Sequence, residues 1–127
     1  MPYYTSPGHR CLLGAIKGAN MNTTSDQEIP VPFGKYVIRN IVATNPSTSL
    51  TLAVGGVYTE AAKSGITVVL AIQVFSGLTG GTKFIDLTLA SGVTGDTITA
   101  STLYLSLTTA QGSAATMDLY VYGDALP

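Results

Sequence analysis

The chain has 127 residues and 13.1 kDa, the size of one modest domain. Charged residues make up 10% of it against about 25% in an ordinary soluble domain, the net charge is −1, and the mean hydropathy is +0.36. A near-neutral, charge-poor surface promotes association; the lack of any basic excess argues against nucleic acid as a partner, and the longest apolar run, residues 66–75, is broken by Thr67 and Gln73 and falls far short of the ~20 residues that span a bilayer.

The opening residues 1–10, with Pro2 and Pro7 around Tyr3 and Tyr4, show no alternation and carry neither the cationic start nor the apolar run of a secretory signal. They read as an extended arm, followed by one domain over residues 11–127. Cys11 is the single cysteine, so no intrachain disulfide forms and folding in a cytoplasm is expected. Among Leu12, Leu13 and Ala15 it reads as a small core hydrophobe.

Eighteen threonines, ten serines and fourteen glycines favour pleated strands and turns over helices. Residues 11–17 form the first strand, closed by Gly18, Ala19 and Asn20. After the polar stretch 22–28, Pro30 and Pro32 forbid a central strand and predict an extended edge or crossover. Residues 35–44 are a strong strand. Residues 48–54 alternate, with Leu50, Leu52 and Val54 on one face. Thr59 is placed to cap a single helical turn through Glu60, Ala61, Ala62 and Lys63, ended by Gly65. Residues 67–75 are apolar on both faces, as for a strand covered on both sides within a core or at a subunit interface. Residues 84–89 alternate around Ile85, Leu87 and Leu89, and residues 91–96 are a turn.

The last two segments are the clearest. Leu103, Leu105 and Leu107 alternate with Tyr104, Ser106 and Thr108, and Met117, Leu119 and Val121 alternate with Asp118, Tyr120 and Tyr122. They read as a hairpin with a leucine-rich core side and a tyrosine-bearing outer side. The class is therefore all-β: a single-domain antiparallel β-sandwich or jelly-roll-like barrel of seven or eight strands with an extended N-terminal arm.

Residues for chemistry are sparse. His9 is the single histidine and lies in the arm; two residues from Cys11, it allows a Cys-His pair only formally. A transition-metal site needs more His or Cys ligands than the chain holds. Asp26 and Glu28 are a close acidic pair without the rest of a calcium loop, and residues 77–83 lack the phosphate-loop spacing. No catalytic residue, cofactor or metal is expected. The outer tyrosines Tyr104, Tyr120 and Tyr122 suit a subunit interface or, alternatively, stacking on sugar rings.

Residues 103–123, with 84–90 before them and 35–44 further back, resemble small virion proteins of tailed bacteriophages, of the capsid decoration or cement type. The resemblance implies a compact β module, commonly trimeric, that sits outside an icosahedral shell and clamps neighbouring subunits of the major capsid protein. The function expected is thus a non-enzymatic, homo-oligomeric virion component, with no nucleic acid and no membrane as partner. The alternative is a carbohydrate-binding adhesin, head-fibre or spike module that recognises host glycans. Pro2, Tyr3, Tyr4, His9 and Arg10 are the candidates for capsid contact. Val69, Ala71 and Gln73, with Tyr104, Tyr120 and Tyr122, are those for the oligomer interface. Residues 66–78 and 97–117 hold no charge, and subunits are expected to touch there.

Overall fold

A computed structural model describes residues 11–127. Eight strands follow one another: β1 (Cys11–Asn20), β2 (Gln27–Pro30), β3 (Tyr36–Thr44), β4 (Val54–Glu60), β5 (Ser64–Val69), β6 (Phe84–Asp86), β7 (Thr102–Thr109) and β8 (Thr116–Ala125), with one 3-10 turn at Val93–Gly95. They form two four-stranded antiparallel sheets, ordered β1-β8-β3-β6 and β2-β7-β4-β5.

The pairing has a simple origin. β1 pairs with β8, β2 with β7, β3 with β6 and β4 with β5, so the chain is one long ribbon folded back at the turn between β4 and β5. Wrapping the ribbon adds the pairs β3·β8 and β4·β7 and closes the two sheets over a common core. This is the order of a jelly roll, in which successive strands alternate between sheets except at the central β4–β5 turn. Residues 87–90 seal one side: Leu87 N–H donates to the Ile41 carbonyl in the first sheet (2.9 Å) and Ala90 N–H to Val68 in the second (2.8 Å).

The inward rows are those that the alternation predicts. Leu103, Leu105 and Leu107 from β7 meet Met117, Leu119 and Val121 from β8, all fully buried, with Leu13, Ile29, Ile38 and Ile41 among them. Burying each such side chain favours folding by about 1.5–3 kcal/mol. Cys11 is partly buried and packs against this core.

Several expectations need correction. β7 and β8 are consecutive but not a hairpin: they belong to different sheets, and their leucine rows face each other across the core. β1 continues to Asn20, because a bulge at Gly18 (φ 68°) bends the strand without ending it. Residues 48–53 are an irregular loop, with Leu50 buried and Leu52 exposed. Buried Gln111 holds that loop, its Oε1 accepting from Leu52 N–H (2.9 Å) and Ala53 N–H (3.1 Å). No helical turn forms over residues 59–63. Ala62 and Lys63 have left-handed φ of 60° and 57°, which reverses the chain between two antiparallel strands. The Ala62 N–H is held by Asp26 Oδ2 at 2.8 Å. Finally, residues 67–75 are not a strand covered on both faces: β5 ends at Val69, at the margin of its sheet, and a turn closed by Gln73 N–H to Leu70 O (3.1 Å) follows.

Candidate interaction surfaces

The turn after β5 builds an apolar ridge. Leu70, Ile72 and Val74 are 47%, 76% and 53% exposed. Gln73 fixes them from below. Its carbonyl accepts Gly55 N–H (2.9 Å), its Oε1 accepts Thr88 N–H (2.9 Å), and Val74 bridges Val54 of β4. Between Leu70, Ile72, Gln73, Val74 and Thr88 lies a hollow of about 250 Å³. The ridge therefore carries a protruding apolar side chain and an apolar recess side by side.

The predicted interface residues in this segment are not its most exposed ones. Val69 is wholly buried, paired with Val57 and bridged to Leu89, so it offers no side chain to a partner. Ala71 and Gln73 are half-buried and tied back into the fold, the Ala71 carbonyl accepting from Thr108 Oγ1 (3.1 Å). Their even-numbered neighbours face solvent. β5 ends with Val68 and Val69 both buried, and the turn that follows it brings Leu70, Ile72 and Val74 outward, so no strand alternation runs through the segment.

The three outer tyrosines do not share a face. Tyr120 and Tyr122, half-buried, lie on the outside of the first sheet, where Tyr122 stands across from Leu12 and Asn40, and Tyr120 across from Ala15 and Val42. Leu12 is exposed there, as is Phe84 at the β6 edge. Tyr104 is on the second sheet, opposite Tyr58 on one side and Glu28 on the other. It lines a groove of about 720 Å³ between the β4–β5 turn and residues 97–102, the start of the charge-free stretch 97–117 expected at a subunit contact.

Two polar clusters complete the surface. Lys63 Nζ donates to buried Ser106 Oγ at 2.9 Å. The Ala62 amide, the Ser106 hydroxyl and the nearby Lys63 ammonium hold Asp26 below the ordinary carboxylate pKa. On the first sheet Asp124, 4% exposed, accepts from Arg39 Nε at 2.8 Å through Oδ2, while its Oδ1 has no hydrogen-bond partner among the described residues. Among the described residues, no three His, Cys, Asp or Glu side chains gather as a metal site. Pro2, Tyr3, Tyr4, His9 and Arg10, and the arm as a whole, lie outside the described residues. Comparison of the chain with protein-family models, with curated proteins and with solved structures finds no match in any of the three.

Proposed function

We propose that the chain is a non-enzymatic structural module of a tailed-phage virion, a homotrimer that decorates the outside of the capsid and stabilises it. The observation that carries this reading is the Leu70–Ile72–Val74 ridge in a stretch without charge, residues 66–78. No charged side chain on that stretch selects a charged partner, and an apolar knob beside an apolar recess lets the same patch of neighbouring copies cover one another about a symmetry axis. The ridge offers both, Ile72 and the adjoining hollow. A second copy of the chain is the occupant that fits. The fold class agrees with this reading, since jelly rolls serve as viral capsid domains, and so does the resemblance of residues 84–90 and 103–123 to cement proteins.

Capsid contact is assigned to the arm and to the sheet edge that it precedes. The arm, with Pro2, Tyr3, Tyr4, His9 and Arg10, precedes β1, the edge strand beside β8, so the face bearing Tyr120 and Tyr122, expected from the sequence to join subunits, is here assigned to the capsid instead. The mechanism is mass action: a ligand of the assembled shell that ignores its dissociated parts stabilises the shell by about 2.7 kcal/mol per site at 100 Kd. Trimerisation links such contacts across several capsid subunits.

Co-sedimentation with phage heads assembled without this chain tests the proposal. Saturable binding, together with a higher temperature of head disruption, is expected. Absence of the chain from pelleted heads at every concentration removes it.

A further inference from the structure

We infer that the groove beside Tyr104 is a binding site for an uncharged saccharide. Its volume of about 720 Å³ is within the range of roughly 300–1,000 Å³ typical of small-molecule sites. Its lining is unlike the ridge. Tyr104 and Ile66 supply apolar surface, Thr99, Ser101 and Thr102 supply hydroxyls, Glu60 supplies one carboxylate, and no lining residue is basic.

Each of these fits a sugar ring. The electron-rich face of a tyrosine attracts the C–H bonds on the apolar side of a pyranose. Hydroxyl side chains donate and accept, as sugar hydroxyls do, and a carboxylate accepts from two neighbouring hydroxyls at once. An anionic sugar meets Glu60 with no cation in the lining to offset it, which selects an uncharged ligand.

The walls are built before any ligand arrives. The Tyr36 hydroxyl donates to the Ala100 carbonyl (2.6 Å), Val31 N–H donates to Ser101 O (2.9 Å), and residues 36 and 98 exchange both backbone bonds (2.9 and 2.8 Å). On the opposite side Thr59 Oγ1 accepts Ile66 N–H at 2.8 Å. A groove fixed in this way loses little freedom on binding. The site stands apart from the capsid reading: a coat module is complete without it, and either proposal survives loss of the other.

The test is an amide-resonance titration of the intact chain with methyl α-glucoside, methyl α-mannoside and methyl β-galactoside, and with sialic acid as the charged control. At least one neutral glycoside shifts the Thr99, Ser101 and Tyr104 amides saturably, and sialic acid does not. Tyr104→Ala weakens that binding ~10-fold, the share expected of an aromatic contact, while Tyr104→Phe keeps it. Glu60→Gln, at the exposed strand end, weakens it without touching the core, and solution mass is unchanged in all three variants. The inference is overturned if all three neutral glycosides leave the groove amides unmoved. Sialic acid binding as tightly, or binding indifferent to both Tyr104→Ala and Glu60→Gln, overturns it equally.

Discussion

The Tyr36 hydroxyl reaches from the core to donate to the Ala100 carbonyl at 2.6 Å, tying β3 to the segment that walls the Tyr104 groove. Tyr36→Phe keeps the ring and removes the donor to that half-buried carbonyl, at a cost of about 0.5–1.5 kcal/mol read by chemical denaturation. Burial also pushes the Tyr36 phenol up to about 12 from 10.0. The folded state thus favours the protonated form, so its contribution is whole below pH 10 and is lost as pH rises through about 12. The alkaline limb of a stability–pH curve is expected to flatten in Tyr36→Phe.

The β4–β5 turn sits at the centre of the ribbon, and Gly65 makes it possible. Its φ is +74°, and a β-carbon there would collide with Thr59 Oγ1 and lie 2.9 Å from Glu60 Cγ. Gly65→Ala is expected to destabilise by about 1–3 kcal/mol, read by thermal or urea unfolding. Gly34→Ala, with open space around its backbone, is the control expected to lie within about 0.5 kcal/mol of the parent.

Gln111 is the pin of the loop over residues 48–53. Gln111→Leu leaves the Leu52 and Ala53 amides without their acceptor and Ser49 O and Thr51 Oγ1 without a donor. A loss of about 2–4 kcal/mol is expected. Hydrogen exchange at residues 52 and 53 is expected to rise more than elsewhere, and uniform change across the protein contradicts the assignment.

Asp26 holds the same central turn from the other side. Its pKa is lowered chiefly by the Ala62 amide, then by Ser106 and Lys63. A depressed carboxylate stabilises the fold above its unfolded value of 3.8 and loses that effect as pH falls through the lower folded value. Asp26→Asn is therefore expected to be less stable than the parent at pH 7, with the gap closing in strong acid. A gap that does not change with pH contradicts the role.

How much of this was legible beforehand differs by segment. The period-2 rows at residues 103–108 and 117–122 fixed both strands and their inward leucines, because each has one polar face. Nothing local to them told that they lie in opposite sheets, since that depends on β1 and β3 arriving beside β8. Residues 48–54 alternate equally well, yet the side chain of Gln111 takes the amides that a sheet partner would have used. At residues 61–63, alanine and lysine speak for helix, but strand reversal and the Asp26 acceptor outweigh that small preference. The stretch at 66–78 reads as a strand covered on both faces, and nothing local to it told that the chain turns after Val69 and leaves Leu70, Ile72 and Val74 exposed.

In the proposed homotrimer, copies of this chain join through Leu70, Ile72 and Val74. Light-scattering mass of the purified protein beside Ile72→Asp tests it most directly. Three times 13.1 kDa is expected for the parent, and 13.1 kDa with an unchanged circular-dichroism spectrum for the variant. A parent that remains at 13.1 kDa, or a variant that keeps the full oligomer mass, contradicts it.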